Sequence, residues 1–311
     1  MSTSHCDPNV PLEANNLFSV RGKVIVITGG GTGLGRMMAE GFVTNGAKVY
    51  ITGRREEVLD KTVKEVRESC SHKGGSISSI QGDVSTKDGV RQIAEIISSR
   101  EEKVDVLVNN AGAQKPWKNP IQDHNDLMIG MLPMPVSQLP LRSLPEELTG
   151  ALEANVNGVY FMTAALVPLM RKSDIKSVIV IGSVAALANQ RSVSSLTYGV
   201  SKSALHLAEM LAGRLSPLKI RVNTILPGAF PSEITSKLDQ DGDRVLHPPA
   251  HKAALRSPLG RAGYKHEIVG PALLLASQAG GFMDNAVITV DGGRLMNAGI
   301  NDGIRMPEET Y

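Results

Sequence analysis

The apolar positions of this 311-residue chain fall into two patterns that take turns along it. Short unbroken runs rich in Val and Ile recur at 23–28, 49–52, 76–80, 104–108, 178–181, 220–226 and 286–290. Runs this short, bounded by Gly, Asn or Asp, predict strands buried on both faces. Between them apolar residues return every three or four positions, as in Met38 and Phe42, then Val58, Leu59, Thr62, Val63 and Val66, then 90–97. The same spacing continues over 146–170, 197–216 (Leu205, Ala208, Leu211, Leu215) and 267–277. It predicts helices with an apolar stripe. Seven strands alternating with helices predict an α/β fold: one doubly wound domain with a seven-stranded parallel sheet flanked by helices.

Two segments break the pattern. Residues 114–145 carry Pro116, Pro120, Pro133, Pro135, Pro140 and Pro145, and 231–257 carry Pro248-Pro249 and several charges. Long unpatterned stretches inside an α/β domain are expected to be binding loops or lids. The expected organisation is a loose arm over 1–19, a domain over 20–295 with an insertion near 114–145 and a substrate lid near 231–257, and a tail over 296–311. Trp117 is expected to pack within the insertion.

Composition narrows the function classes. A hydrophobic content of 41% and a charged content of 21% suit a globular protein with a real core. A net charge of +2 argues against an obligate nucleic-acid partner or an anionic membrane surface. Two cysteines, Cys6 and Cys70, give no disulfide framework and suit a reducing compartment. The polar start of the chain has no apolar core of a signal peptide, and no run approaches a membrane span, so a cytoplasmic protein is expected.

The candidate chemistry sits at the strand ends. The first strand runs into Gly29-Gly30-Gly31-Thr32-Gly33-Leu34-Gly35 and then a helix. Such a turn offers backbone N–H groups and a helix N-terminus to a pyrophosphate. At the end of the second strand, where an acidic residue would bind the 2′-hydroxyl of NAD, stand Gly53, Arg54 and Arg55. A guanidinium there can hold a 2′-phosphate, which points to NADP (NADPH) as cofactor. Tyr198 and Lys202 stand four apart at the start of a predicted helix, on one face. An ammonium fixed beside the phenol is expected to lower the phenol's pKa and so tune it for proton transfer.

Taken together, Thr28-Gly-x-x-x-Gly33-x-Gly35, Asn109-Asn110-Ala-Gly112, Asn155, Ser183, Tyr198-x-x-x-Lys202, Pro227-Gly228 and Asp291-Gly292-Gly293 resemble the ordered motif set of the short-chain dehydrogenase/reductase family, over residues 18–295. The stretch 227–233 is most similar to fungal NADP-dependent members related to 3-oxoacyl reductases. The resemblance implies a Rossmann-type fold and the following roles. Tyr198 would be the general acid that protonates a carbonyl oxygen, and Lys202 would lower its pKa and hold the nicotinamide ribose. Ser183 would bind the substrate oxygen, and Asn155 would seat a water that relays protons to Lys202. Gly29, Gly31, Thr32, Gly33, Leu34 and Gly35 would hold the phosphates, with Asp83 and Val84 flanking the adenine. Asn110 and Gly112 would line the cleft, while Gly228, Phe230 and Ser232 would approach the nicotinamide carboxamide.

Other residues carry weaker signals. Ser194 and Ser195 lie nearer Tyr198 than Ser183 does and are expected to cap its helix. Fifteen positions from Ser183 to Tyr198 and forty-three from Gly112 to Asn155 imply an enlarged substrate loop and an insertion. His247 and His251 could suggest a metal, but Pro248-Pro249-Ala250 between them is expected to prevent a helix, and no metal is expected.

The expected activity is hydride transfer between NADP(H) and a carbonyl or secondary alcohol, an apolar ketone or 3-oxoacyl-type substrate given the Leu, Met, Ala and Pro of 114–145, 185–196 and 231–257. The alternative is a non-catalytic NADP-binding sensor or scaffold. Helices 146–170 and 197–216 carry more apolar residues than one sheet face covers, Val159, Phe161, Ala164 and Leu166 among them, so a homodimer or homotetramer is expected.

Overall fold

In the structure, a computed structural model, residues 10–71, 73–112, 149–187, 196–202, 205–233, 235–238 and 244–297 are described. The strands are β1 (Val24–Thr28), β2 (Lys48–Gly53), β3 (Ser76–Gln81), β4 (Val106–Asn109), β5 (Ser177–Ile181), β6 (Arg221–Pro227), β7 (Ser236–Leu238), β8 (Arg244–Leu246) and β9 (Val287–Val290). The helices are α1 (Ala14–Leu17), α2 (Gly33–Thr44), α3 (Glu56–Ser69), α4 (Lys87–Arg100), α5 (Gly158–Met170), α6 (Leu196–Lys202), α7 (Leu205–Leu215), α8 (Pro248–Leu255) and α9 (Lys265–Ala276). Seven strands form one parallel sheet in the order β3-β2-β1-β4-β5-β6-β9.

The apolar runs become central strands because both of their faces are covered. All five residues of β1 are buried, and successive side chains feed two different cores. Ile25 and Ile27 pack with Met38 and Phe42 of α2, Leu59 and Val63 of α3, and Ile268 and Leu275 of α9. Val24 and Val26 pack with Ile93 and Ile97 of α4, Met162 and Leu166 of α5, and Leu211 of α7. Each such side chain, fully buried, contributes roughly 1.5–3 kcal/mol of hydrophobic stabilisation. At the N-terminal end of the sheet the buried Asp105 carboxylate accepts from Val24 N at 2.8 Å and Ser173 Oγ at 2.6 Å, which ties β1 to the turn before β5.

Strand order reverses between β1 and β4, so the loops leaving these two strands part and open a crevice at the carboxyl ends. The chemistry-bearing residues of the sequence cluster at those ends. Among the described residues, no helix is long and apolar enough to cross a membrane.

The described residues of the expected lid, 231–257, hold more regular structure than their sequence suggests. β7 and β8 pair as an antiparallel ribbon, and α8 follows directly. The two prolines do not prevent that helix: they occupy its first turn after His247 as N-cap, where no intrahelical N–H bond is lost. His251 N donates to His247 O at 2.8 Å, so the two histidines stand one turn apart after all. Among the described residues, no group of three or more His, Cys, Asp or Glu is placed to hold a metal. The arm, expected to be loose over 1–19, carries the single turn α1. The expected helix over 197–216 is seen as α6 and α7, with 203–204 outside the described residues. The insertion at 114–145 with Trp117, and Ser194 and Ser195, also lie outside them.

Candidate active site

The crevice begins with the glycine turn between β1 and α2. Gly29 takes φ +64°, and a Cβ there would lie 2.8 Å from Ala111 Cα. At Gly35 a Cβ would meet Gly29 O at 2.3 Å, so α2 can approach its own entry loop only because the position is glycine. Thr32 is the N-cap of α2 but makes no side-chain cap bond, and no acidic residue sits in the first turn. The opening N–H groups of the helix are thus unsatisfied by any cap and suit an anion. Gly31 lies against Val58 and Leu59, and the Leu34 side chain packs on the core, so both offer only backbone.

Asn110 braces this turn. Its Nδ2 donates to Thr28 O and Gly29 O, both at 3.0 Å, and Thr28 Oγ1 accepts from Asn110 N and Ala111 N at the same distance. The side chain expected to line the cleft is therefore spent on holding β1 to the end of β4.

At the other end of the turn, Arg54 and Arg55 follow β2 and are exposed, with no carboxylate at the strand end. Arg55 Nη2 pairs with Glu233 Oε2 at 2.7 Å. Asp83 Oδ1 accepts from Ser85 N at 2.9 Å and Ser85 Oγ at 2.7 Å, and Val84 is buried in the α4–α5 core. Both side chains expected beside an adenine are thus engaged locally.

Ser183 follows β5, accepts from Ala185 N at 3.1 Å, and is hydrogen-bonded to the Tyr198 hydroxyl. Lys202, one turn along α6, places Nζ 6.0 Å from the centroid of the Tyr198 ring and donates to Ile181 O at 3.0 Å. Asn155 is buried and belongs to a π-helical segment, Glu153–Asn157, that precedes α5. Its Nδ2 donates to Ser201 Oγ at 2.7 Å, and Ser201 Oγ donates to Tyr198 O at 2.8 Å. Gly112 passes over both groups: a Cβ there would lie 2.9 Å from Asn155 Oδ1 and 3.2 Å from Lys202 Nζ. All four predicted catalytic residues meet here.

Burial pushes the Tyr198 phenol above its ordinary value of 10.0, while the Ser183 hydrogen bond acts in the opposite direction. Burial lowers the Lys202 ammonium from 10.5 to about 8. The expected lowering of Tyr198 by Lys202 is therefore not what the structure shows. The ammonium sits over the ring and bonds a carbonyl, and it is burial that dominates the phenol.

The segment after β6 covers the turn. A Cβ on Gly33 would lie 3.1 Å from Ser232 Cβ, so residue 232 rests on the N-terminus of α2. Ser232 N donates to Thr235 Oγ1 at 2.9 Å, Thr235 Oγ1 donates to Phe230 O, and Ser236 Oγ donates to Ser232 O at 2.6 Å. Gly228 packs on Asp291, and the Phe230 ring is buried in the core that α2 and α9 share, against Gly263. Phe230 thus turns its ring away from the crevice, whereas Ser232 stays beside it. Sequence reasoning missed Ser201, Thr235 and Glu233. Ser201 lies inside the Tyr198-x-x-x-Lys202 stretch, but nothing in that spacing marks it as the residue that meets Asn155. Glu233 meets Arg55 across 178 positions, and no local pattern marks it.

A glycine turn at the switch point of a doubly wound sheet, beside a Ser–Tyr–Lys–Asn cluster, defines a class that sequence comparison makes explicit. The family described as short chain dehydrogenase matches residues 23–243, and the chain belongs to that family of oxidoreductases. It is 36% identical over 292 residues to the short-chain dehydrogenase/reductase PhomF of Diaporthe leptostromiformis, covering 91% of this chain and 95% of that protein. It is 33% identical to the rhamnolipids biosynthesis 3-oxoacyl-acyl-carrier-protein reductase of Pseudomonas aeruginosa, covering 89% of this chain and 97% of the relative. Among solved structures it is similar to the Pseudomonas aeruginosa RhlG/NADP active-site complex, with a TM-score of 0.72 and 32% identity over 90% of this chain and 98% of that one.

Proposed function

We propose that this oxidoreductase transfers a hydride between NADP(H) and a carbonyl or secondary alcohol, and reduces an apolar ketone or a 3-oxoacyl-type substrate. The observation that carries the proposal is the Tyr198 hydroxyl, hydrogen-bonded to Ser183 beside Lys202, at the carboxyl end of the sheet and next to the glycine turn. Arg54 and Arg55 at the end of β2, with no carboxylate there, support NADP over NAD. The 3-oxoacyl reductase among the relatives and the NADP named in a similar structure support the same choice.

The bound nicotinamide would supply or accept the hydride; the remaining work falls to this chain. Gly29, Gly31, Thr32, Gly33, Leu34 and Gly35 would hold the phosphates through backbone N–H groups. Arg54 and Arg55 would hold the 2′-phosphate, with Gly112, Gly228 and Ser232 bordering the cofactor and Asp83, Val84, Asn110 and Phe230 reaching it through backbone alone, since their side chains are engaged elsewhere. Ser183 Oγ would orient the substrate oxygen. A phenol held above its ordinary pKa is protonated at neutral pH, so Tyr198 can give its proton to that oxygen as charge develops. The Lys202 ammonium would hold the ribose and favour the phenolate left behind, and Asn155 would order the route by which the proton is replaced.

Replacing Tyr198 by Phe removes only the hydroxyl. Tyr198→Phe should lower NADPH-dependent reduction by roughly 10²–10⁴-fold, the usual worth of a positioned acid, while NADPH still quenches or enhances protein fluorescence as in wild type. Screening ketones, diketones and 3-oxoacyl thioesters by NADPH oxidation identifies the substrate class. Undiminished turnover by Tyr198→Phe would sink the mechanism.

A further inference from the structure

We propose that Glu233 is a specificity-determining residue whose carboxylate occupies the anion site of Arg55 and competes there with the 2′-phosphate of the cofactor. The proposal rests on the NADP reading above and adds a residue which that reading does not contain.

The geometry is specific. Arg55 follows β2, on the adenosine side of the glycine turn, whereas Glu233 belongs to the segment after β6 that leads into the lid. Their contact, Nη2 to Oε2 at 2.7 Å, joins the two flanks of the crevice across 178 positions. Hydrogen bonds and a buried ring fix the residues beside the carboxylate. Thr235 Oγ1 takes the N–H of Ser232 and bonds Phe230 O, Ser236 Oγ bonds Ser232 O, and the buried Phe230 ring anchors the segment from below. Residue 232 rests directly on the N-terminus of α2, so residue 233 projects past the phosphate turn towards the arginines. Arg54 makes no ion pair among the described residues; Arg55 makes this one.

A guanidinium accepts one bidentate anion well, and a carboxylate and a phosphate dianion compete for the same fork. The Arg55 and Glu233 side chains are 55% and 40% exposed, so their pair is screened and easily displaced. A 2′-phosphate that reaches Arg55 therefore replaces Glu233 rather than being blocked by it, but its affinity is reduced by whatever the pair contributes. For an exposed pair that factor is about two- to five-fold. NADH, with a neutral 2′-hydroxyl, makes no such exchange. By linkage, the 2′-phosphate in turn loosens the tie between lid and β2 by the same factor.

The test is a double-mutant cycle read by binding alone, with NADPH and NADH fluorescence titrations on the full chain. Glu233→Gln keeps the shape and removes the charge. It should tighten NADPH about two- to five-fold at low salt, leave NADH unchanged, and lose most of its effect at high salt. In an Arg55→Ala background the same substitution should change nothing. Limited proteolysis of the lid in wild type should quicken on adding NADPH more than on adding NADH. If wild type prefers NADPH and Glu233→Gln leaves its affinity unchanged or weakens it, the competition is refuted while the NADP reading stands. Equal tightening of NADH refutes it too. If wild type binds NADH as tightly as NADPH, and Arg54→Ala with Arg55→Ala alters neither, the NADP reading fails and takes the proposal with it. Glu233 is exposed, so an unchanged melting temperature should accompany every arm.

Discussion

At the scale of single residues, Lys202 is the group whose environment has the largest consequence. Burial lowers its ammonium from 10.5 to about 8, so the folded chain disfavours the charged form. Below about pH 8 the lysine is protonated in both folded and unfolded chains and the full cost of burying charge is present. Between about 8 and 10.5 the unfolded chain still binds a proton that the folded chain has released, so stability rises with pH through that window. Denaturant titrations of wild type and Lys202→Met should show wild type gaining on the variant by about 2–3 kcal/mol between pH 7.5 and 10.5. A constant difference would mean that the lysine titrates at its ordinary value. The same ionisation has a kinetic face. In the proposed mechanism, reduction needs the ammonium charged and the Tyr198 phenol protonated, and burial raises the phenol above its ordinary value. Reductive kcat/KM should therefore fall as pH rises through about 8, with the loss assigned to Lys202.

At the scale of elements, the site depends on one irregularity, the π-helical Glu153–Asn157 ahead of α5. A wider turn moves Asn155 out of the regular helical register, and its side chain reaches Ser201, whose hydroxyl holds the Tyr198 carbonyl. Asn155→Ala removes a buried hydrogen bond of about 1 kcal/mol and supplies a better helix former, which favours closing the π segment into a regular helix. Reductive kcat should drop about five- to ten-fold with a shift in melting temperature of only a few degrees. A loss of stability without loss of kcat would make Asn155 a structural residue alone. This element also shows where sequence was legible. Strands such as β1 could be read because a β-branched, mostly apolar run bounded by glycines has one good home, the middle of a parallel sheet. Tyr198, Lys202 and the glycine turn could be read because their chemistry is local in spacing. The π segment could not, since only the poor helix propensity of Asn155 hints at it. The histidine spacing was not legible as one helical turn because proline breaks a helix interior but starts a helix from its first turn, where Pro248 and Pro249 stand. The pKa direction misled because spacing places a lysine beside a tyrosine but says nothing of how deeply either is buried.

At the scale of the whole molecule, large apolar side chains stay exposed on two sets of elements among the described residues. One runs along the helices beneath β4 to β6, where Tyr160 of α5, Val200 of α6 and Met210 of α7 are 50%, 46% and 53% exposed. The other lies at the β9 edge of the sheet, with Leu259, Phe282, Val287 and Met296 exposed. Where exposed apolar side chains form a contiguous patch, they mark a surface that another molecule covers. Of the α5 residues expected to exceed what one sheet face covers, Val159 and Leu166 are buried in the core, Phe161 packs partly against it and Ala164 is exposed. Copies that pair through one such region form a closed two-fold dimer. Copies that use both regions, about different axes, form a tetramer with two kinds of contact. We therefore expect light scattering to give the mass of a dimer or a tetramer. Placing a charge in the middle of one region, by Met210→Glu, should break only the contact made there, and Phe282→Glu should break only the other. A tetramer would then fall to a dimer with either single variant and to a monomer with both. A dimer would fall to a monomer with one variant and ignore the second. A wild-type monomer at micromolar concentration would refute the assembly and leave both apolar regions to face other partners.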